Sequence, residues 1–411
     1  MPRLPEGLEL TAHDAAFREA PDAVYDRLRI EAPLHDDAPY GRRFLTRHAD
    51  VRHVLRDKAF GVDARKSLPQ SYMRRVAATG VQEAQGDAAY EPPLVLLDDP
   101  AHRRIRQLVS KAFTPKAIAA QRPVIEALTA ELLDGIERTG DTEVDFIARF
   151  AGPLPTRVIS SMMGLDALDC ADLKRWSDAI LMGYDPERSA ATQRALREGY
   201  LAMSRVFRDA VAARRHAPGD DLISELVRAQ EDHDRLTDLE IISLCVQLLV
   251  AGNVTTTDLM GNGLNALLQQ PAELAGLRAD WSLMPQAVEE MLRIDCPLTE
   301  TARIALAPTA VAGCPVSQGE TLTVSLAAAN HDPGVFDAPH AFRIKRDNAE
   351  HLAFATGPHV CLGAALARLE GEVCLRAFLQ RFPDVRLAAT PARRRHLPSF
   401  RGFESLPVLL R

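Results

Sequence analysis

The most informative segment of this chain reads Phe354-Ala-Thr-Gly-Pro-His-Val-Cys-Leu-Gly363. Its cysteine stands in a loop bounded by two glycines, and an apolar run at helical spacing follows from Leu362 to Phe378. A thiol at the start of a helix lies near unpaired N–H groups and the positive end of the helix dipole, which favour the metal-binding thiolate. Gly357 permits a tight turn, and Gly363 lets a flat ligand approach the backbone.

A lone cysteine in a tight turn is more often a buried structural residue than a ligand. The full pattern F-x-x-G-x-H-x-C-x-G is much more specific, and it resembles the haem-ligand loop of cytochrome P450, the haem-thiolate monooxygenases. The resemblance implies haem b as the cofactor and Cys361 as the axial iron ligand. Phe354 would shield the sulfur, His359 would donate to an anion at the haem edge, and Gly363 would lie against the haem. The family usually has glycine where this chain has Ala355.

Composition restricts the class of protein. The 411 residues, 46% hydrophobic and 26% charged, suit one large globular domain or two to three average ones. A net charge of -7 argues against nucleic-acid binding. The first residues lack an apolar signal region, and no later stretch reaches about eighteen uncharged apolar residues, so we expect no membrane anchor. The six cysteines form no CxxC pairs, which indicates a reducing, cytoplasmic location.

A second motif begins at Asp99-Pro100, which we expect to be the N-cap and first residue of a helix. His102 and Arg106 are four residues apart and project from one face of that helix. Two such donors suit a pair of carboxylates, although a solvated charged face fits the residues equally well. In the resembling family the helix carries H-x-x-x-R against the haem propionates. The resemblance adds Arg303 as a further propionate contact.

A long helix is predicted to begin at Thr237-Asp-Leu-Glu240, a capping box, and to continue to Gln270 before Pro271 stops it. Its length is about 50 Å at about 1.5 Å per residue. The helix is apolar nearly all round from Ile241 to Gly252, so we expect it to be buried.

The middle of this helix reads Ala251-Gly-Asn-Val-Thr-Thr-Thr257. Small residues at Ala251 and Gly252 let a flat group approach, and the Thr255 hydroxyl can bond back to the carbonyl at 251. From the residues alone, a mere packing role for the threonines is the simpler interpretation. The resemblance favours function, because A-G-x-[DE]-T-T is the family's oxygen-activation motif. It makes Ala251, Gly252 and Thr255 catalytic residues.

Val254 occupies the acid position of that motif, so the carboxylate that relays protons in the family is missing. We therefore expect slower or less well coupled oxygen activation, or relay through water, and we do not expect Asp258 to substitute directly. Haem-thiolate nitric oxide reductases, which take hydride from NADH, also lack an acid here and are the alternative enzyme. A non-catalytic haem-binding sensor is a third interpretation, and Thr255 beside Cys361 weighs against it.

A charge cluster is predicted from Glu290 and Arg293, which share one helix face. The pattern E-x-x-R is common by chance, and an exposed pair contributes only about 0–1 kcal/mol. In the family a downstream arginine, here Arg346, completes a buried Glu-Arg-Arg cluster that locks the loop leading to the cysteine.

The remaining patterns give the fold. Helical periodicity covers most of residues 116–235, residues 61–97 are irregular, and short strands are expected around residues 311–316 and 321–325. Residues 397–402 read as a turn within a hairpin, beside a solvated basic patch at Arg393 to Arg395. Together with these patterns, the resemblance implies a fold that is mainly α with a small β region, a single cytochrome P450 domain over residues 1–411. The resemblance places haem between the long helix and the cysteine loop.

The resemblance also implies the reaction and its partners. One atom of O2 enters a C–H bond of a small hydrophobic substrate, such as a terpenoid, steroid, fatty acid or polyketide. The chain has no flavin or iron–sulfur motif, so electrons would come from a ferredoxin and a ferredoxin reductase, docking near Arg103 and Lys111 on a monomer. The candidate pocket residues are mainly apolar, as such a substrate requires. They are Leu94, Val95, Gln247, Val250, Leu298, Thr299, Ser399 and Phe400.

Overall fold

The computed structural model describes residues 3–79, 91–165, 169–231, 236–346 and 350–411. Most of this part of the chain is helical, as the sequence predicts. The α-helices are Ala15–Glu19, Asp22–Glu31, His48–Arg56, Tyr72–Thr79, Ala101–Val109, Pro115–Ala119, Arg122–Thr139, Pro153–Met162, Cys170–Leu181, Ala190–His216, Leu222–Glu231, Asp238–Gln269, Pro271–Ala279, Met284–Ile294, Leu326–Asn330 and Ala364–Arg381. Single 3-10 turns connect several of them, including Leu94–Leu96, Met182–Tyr184 and Gly357–His359.

The β structure is small and local, which confirms the predicted fold class. The strands are β1 (Leu34–Asp37), β2 (Arg42–Leu45), β3 (Phe60–Gly61), β4 (Glu143–Asp145), β5 (Glu300–Ala305), β6 (Thr309–Val311), β7 (Cys314–Val316), β8 (Thr321–Ser325), β9 (Arg386–Leu387), β10 (Arg393–Arg394), β11 (Phe403–Ser405) and β12 (Pro407–Leu409). The largest sheet has the order β1-β2-β8-β5-β3. Within it β2 and β8 are parallel, and β5 pairs antiparallel with β8 so that Arg303 stands opposite Leu322.

The central helix, Asp238–Gln269, begins as predicted. The Thr237 hydroxyl accepts from the N–H of Glu240, whose carboxylate accepts from the N–H of Thr237. Its 32 residues span about 48 Å. The helix is long and apolar enough to cross a membrane, but 67% of its apolar window is buried inside the protein. It therefore packs as a core helix.

Two clusters of buried apolar side chains meet along the central helix. Its first half, including Leu244 and Leu249, packs in one cluster with Ile105 and Phe207. Its second half, from Leu259 to Leu267, packs in the other. The Ala251–Thr255 segment lies where the helix passes from one cluster to the other, so both cores fix its position.

Three local predictions were wrong. The segment predicted as irregular contains the helix Tyr72–Thr79, and residues 80–90 of that segment lie outside the described residues. The helix that carries His102 begins at Ala101, one residue later than predicted, with Pro100 as its N-cap. Asp99 does not cap it, because its carboxylate pairs with Arg103 at 2.5 Å.

The basic patch at 393–395 is also not solvated as a whole. Arg394 pairs with Asp295 at 2.8 Å, and Arg395 pairs with the fully buried Asp258 at 3.1 Å. Burial raises the pKa of Asp258 to about 6, with Arg395 acting against the rise. A side chain on Gly402 would collide with the Asp258 carboxylate, so the acid is enclosed by protein. These contacts occupy Asp258 in a structural role. Residues 393–394 and 403–405 form the predicted hairpin.

Candidate active site

The cysteine loop, residues 354–363, is a tightly hydrogen-bonded turn. The N–H of Cys361 donates to the carbonyl of Phe354 at 2.9 Å, and the N–H of Val360 donates to that of Gly357 at 3.1 Å. Gly357 has a φ of +78°, and a side chain there would collide with the carbonyl of Leu55. Only glycine meets both conditions.

Ala355 also has a left-handed backbone, with a φ of +55°. This conformation costs an L-residue roughly 1–2 kcal/mol relative to glycine. The departure from the family's glycine is therefore a point of local strain in the loop.

Cys361 is exposed, and among the described residues nothing lies within 4 Å of where Gly363 would carry a Cβ. This side of the loop can therefore receive a flat group. The surrounding protein raises the pKa of the Cys361 thiol by desolvation, while the N–H of Gly363 and the guanidinium of Arg106 act against the rise. The N–H at the helix start thus favours the thiolate, as predicted, but desolvation outweighs it. A bound metal ion deprotonates a coordinating thiol outright.

Four donor side chains converge beside the loop: His102, Arg106, Arg303 and His359. The rings of His102 and His359 stand 4.1 Å apart, centre to centre. Arg106 donates from Nη2 to the carbonyl of Val360 at 2.8 Å. Arg303 is 4% exposed and its Nη1 donates to the carbonyl of Ala302.

The electrostatics of this set favour a bound anion. Burial lowers the pKa of Arg303 to about 10, and burial together with Arg303 and His102 lowers the pKa of His359 to about 3. Asp98, the acid that opposes both shifts, already accepts from the N–H of Val62 and from Lys66. Nε2 of the buried His102 has no hydrogen-bond partner among the described residues. Unmatched buried donors are costly, so the cluster fits the two propionates of haem.

The Ala251–Thr257 segment of the central helix is only partly covered by protein. The Thr255 hydroxyl donates to the carbonyl of Ala251 at 2.7 Å, the predicted bond. Ala251 is exposed on a helix that is otherwise mostly buried, whereas Val254 is buried. A Cβ on Gly252 would make an ordinary contact with Ile159. Gly252 therefore lies on the side of the central helix that faces the helix Pro153–Met162. The exposed Ala251 and the partly exposed Thr255 form the part that can meet a ligand.

The predicted pocket residues form two contacting groups. Leu298 forms an isolated β-bridge with Phe400, and the N–H of Thr299 donates to the carbonyl of Ser399 at 2.9 Å. The N–H of Val95 donates to Oε1 of Gln247 at 3.4 Å.

One apolar cluster links the two groups, since it contains Leu94, Val250 and Phe400 and Leu298 packs against it. The Val95 side chain is 39% exposed, so its contact with the helix is made by its backbone.

The Glu290–Arg293–Arg346 cluster is formed and buried. Arg293 bonds both carboxylate oxygens of Glu290, at 2.7 and 2.9 Å, and neither side chain is exposed. Arg346 contacts Glu290 at 3.2 Å. Arg293 also donates to the carbonyls of Asn330, Pro339 and Ala341, so the cluster holds the segment that precedes the cysteine loop.

Sequence reasoning missed a second set of side-chain contacts that holds the cysteine loop in place. Arg368, on the helix after the cysteine, lies over the ring of Phe354 at 4.6 Å and bonds Glu289 at 2.6 and 2.9 Å. Glu289 also accepts from His351. Although burial acts to raise it, these hydrogen bonds lower the pKa of Glu289 to about 2. The sequence signal that could have identified Arg368 is its position seven residues, or two helical turns, after Cys361.

A second missed group supports the pocket wall. Ser399 has a φ of +64°, and its hydroxyl donates to Glu300 at 3.0 Å. Glu300 in turn pairs with the fully buried Arg42, which also bonds Asp37 at 2.7 Å. The strained turn is thus fixed by a buried ion-pair network that no local sequence pattern indicates.

Comparison with known proteins decides the family. The cytochrome P450 family model matches residues 83–387. The chain belongs to the cytochrome P450 family. It is 38% identical to the cytochrome P450 monooxygenase PikC of Streptomyces venezuelae over 98% of this chain and 94% of that protein. This P450 is therefore a haem-binding monooxygenase.

Solved P450 structures share its fold. The structure of P450BioI with acyl carrier protein ligated to hexadec-9Z-enoic acid has a TM-score of 0.86 and 32% identity, covering 96% of this chain and all of that one. The cytochrome P450 PksS of the bacillaene polyketide synthase of Bacillus subtilis has a TM-score of 0.85 and 33% identity, covering 97% and 99%.

Proposed function

We propose that this P450 inserts one atom of O2 into a C–H bond of a hydrophobic substrate made from a fatty acid or polyketide chain. The observation that carries the proposal is the convergence of the donors His102, Arg106, Arg303 and His359 beside the exposed Cys361, with Nε2 of the buried His102 unpartnered among the described residues. This arrangement would supply a thiolate ligand for a haem iron and positive charges opposite the haem propionates. Cys361 is the proposed iron ligand, Phe354 and His359 flank it, and Gly363 lies against the haem.

Thiolate-ligated haem supplies the cleavage of the O–O bond. The chain's own residues control the proton that this chemistry consumes. The Thr255 hydroxyl, now bonded to the carbonyl of Ala251, can turn to hold a water at the reacting face, and Ala251 leaves room for it. Val254 cannot relay a proton, so the water chain must supply it.

The proposed substrate class is supported by the apolar residues of the candidate pocket and by two of the solved neighbours. Leu94, Val250, Leu298 and Phe400 offer apolar surface, while Gln247, Thr299 and Ser399 add a few polar groups that orient a ligand. One structural neighbour is bound to a fatty-acyl carrier protein and another is named for a polyketide synthase, which supports an acyl or polyketide chain. A further neighbour is bound to testosterone, so a steroid is the alternative class that the titration below tests.

Electrons are proposed to come from a ferredoxin and its reductase. A surface depression lined by Arg103, Arg104, Gln107 and Lys111 lies on the helix that also carries His102 and Arg106. Arg103 and Arg104 are paired with Asp99 and Glu240, so Lys111 is the most direct attraction for an acidic partner. We further propose that the protein acts as a monomer in the cytoplasm.

Optical titration of the ferric protein tests the substrate proposal. A free fatty acid, an acyl carrier protein loaded with an acyl chain, a macrolactone and a steroid are titrated separately. Displacement of iron-bound water shifts the haem towards high spin, and we expect this with the acyl or macrolactone ligands. A shift with the steroid alone would contradict the proposed class. Nitric oxide that drives NADH oxidation without a redox partner would instead identify a nitric oxide reductase.

A further inference from the structure

Three side chains outside the candidate active site meet between the N-terminal part of the chain and the segment before the cysteine loop. Asp22 begins the helix Asp22–Glu31, His331 follows the helix Leu326–Asn330, and His340 lies nine residues further on. One carboxylate oxygen and one ring nitrogen from each histidine lie within 4.8 Å of one another. No sequence motif unites these residues.

His331 is the buried member of this group. It is 5% exposed, and neither ring nitrogen has a hydrogen-bond partner among the described residues. Its Nδ1 faces Oδ1 of Asp22 at 3.6 Å, beyond hydrogen-bond range. A buried imidazole without a partner loses its hydration without compensation, which is costly unless something binds it.

The spacing suits a tetrahedral ion. Metal–ligand distances of about 2.0–2.1 Å place neighbouring tetrahedral ligands roughly 3.4 Å apart. The Asp22 carboxylate lies 3.6 Å from Nδ1 of His331 and 3.6 Å from Nδ1 of His340. Asp22 and His340 are about half exposed, so small side-chain rotations close the remaining gap.

A second carboxylate orients His340. Nε2 of His340 lies 2.9 Å from Oδ2 of Asp26, which leaves Nδ1 with its lone pair towards Asp22. Asp26 is itself held by Arg29 at 2.6 Å, and Arg29 also donates to the carbonyl of Ala328. A carboxylate that accepts from the second nitrogen of a metal-binding histidine is the usual support of such sites.

We propose that Asp22, His331 and His340 bind a divalent transition-metal ion of the zinc class, with Asp26 as the supporting carboxylate. Two imidazoles and one carboxylate favour zinc, nickel, cobalt or copper over magnesium and calcium. The ion ties the helix Asp22–Glu31 to residues 331–340. Arg293 holds the same segment through the carbonyls of Asn330 and Pro339, so the ion stabilises the approach to the cysteine loop.

Calorimetric titration of Zn²⁺ into chelator-treated, haem-loaded, full-length protein tests the proposal. We expect one equivalent to bind, with affinity reduced at least tenfold in His340→Ala and in Asp22→Asn. His53→Ala is the matched control, because the exposed pair of His53 and Asp57 at 3.6 Å has no third ligand among the described residues. This control should bind Zn²⁺ like the wild type. Absence of binding, or binding that is equal in all four proteins, would overturn the proposal.

Thermal unfolding gives a second readout that does not depend on activity. A ligand that binds only the folded state raises its stability with concentration. Zn²⁺ should therefore raise the melting temperature of the wild type and of His53→Ala but not of His340→Ala, whereas Mg²⁺ should raise none of them. An equal rise with Mg²⁺ would contradict a nitrogen-ligated site.

Discussion

Arg106 donates a hydrogen bond from Nη2 to the carbonyl of Val360 at 2.8 Å. The side chain proposed to hold a propionate thus also holds the residue next to Cys361. This contact therefore holds the helix Ala101–Val109 against the cysteine loop. Haem binding and loop geometry should respond together when this contact is removed.

Replacing Arg106 with Ala should weaken haem retention by about 10- to 100-fold, as expected for the loss of one or two charge-assisted hydrogen bonds. The measurement is the rate of haem transfer from the purified protein to a high-affinity acceptor. Arg103→Ala is the control, because Arg103 lies on the same helix but pairs with Asp99 at the surface. Equal haem retention in the two variants would refute the role given to Arg106.

Replacing Glu290 with Ala should destabilise the protein by about 3–5 kcal/mol, because it leaves the guanidinium of Arg293 buried without its partner. Glu131, which is 61% exposed and pairs with Arg157, supplies the control, and its replacement with Ala should cost less than about 1 kcal/mol. Urea denaturation of the haem-loaded proteins measures both free energies. Similar values would mean that the buried cluster is not structural.

Much of this structure could be predicted because its signals are local or strongly patterned. The capping box at Thr237 marks the start of the central helix. Glycines bound the cysteine loop, and Gly357 has the left-handed backbone that the turn requires. The spacing of Glu290 and Arg293 predicted their ion pair, and the resemblance supplied the third residue of the cluster, Arg346. That residues 1–411 form one domain, and that the site residues bind haem and substrate, stay predictions.

Other features depend on contacts between segments far apart in sequence. Arg395 looked solvated because its partner, Asp258, is 137 residues away. Arg42 pairs with Glu300, which is 258 residues away, and no local sequence pattern marks either residue. The raised pKa of the Cys361 thiol reflects the desolvation of the folded protein, which a sequence that shows only a helix start does not reveal.

Glu370 predicts a pH dependence of stability. Burial raises its pKa to about 8, and its Oε2 has no hydrogen-bond partner among the described residues. The unfolded chain releases this proton near its ordinary pKa of about 4.3, whereas the folded protein keeps it. Stability contributed by this group is therefore lost as the pH rises from roughly 4.3 towards 8.

Glu370→Gln removes that titration. The variant should gain stability over the wild type as the pH increases, by about 2 kcal/mol or more at pH 8, with little difference at about pH 4.5. Denaturation at both pH values measures this gain. Glu126→Gln, at an exposed position, should show no such trend. A Glu370→Gln difference that does not change with pH would exclude a protonated Glu370.

Val254 predicts imperfect coupling of electrons to product. Val254→Asp restores the family's acid one residue before Thr255, and it should raise the fraction of electrons that appear in product rather than in peroxide. Val254→Asn has the same shape without a proton to give and is the matched control. Product formed per NAD(P)H consumed is the measurement. Unchanged coupling in Val254→Asp would mean that water already relays protons efficiently.

The account depends most on Cys361 as the thiolate ligand of the haem. The direct measurement is the absorption spectrum of the reduced protein with carbon monoxide, compared between the wild type and Cys361→His. We predict that the wild type shows the strongly red-shifted absorption maximum from which the family takes its name, and that the variant keeps haem but loses that maximum. A wild-type spectrum typical of histidine ligation, or an unchanged spectrum in Cys361→His, would contradict the account.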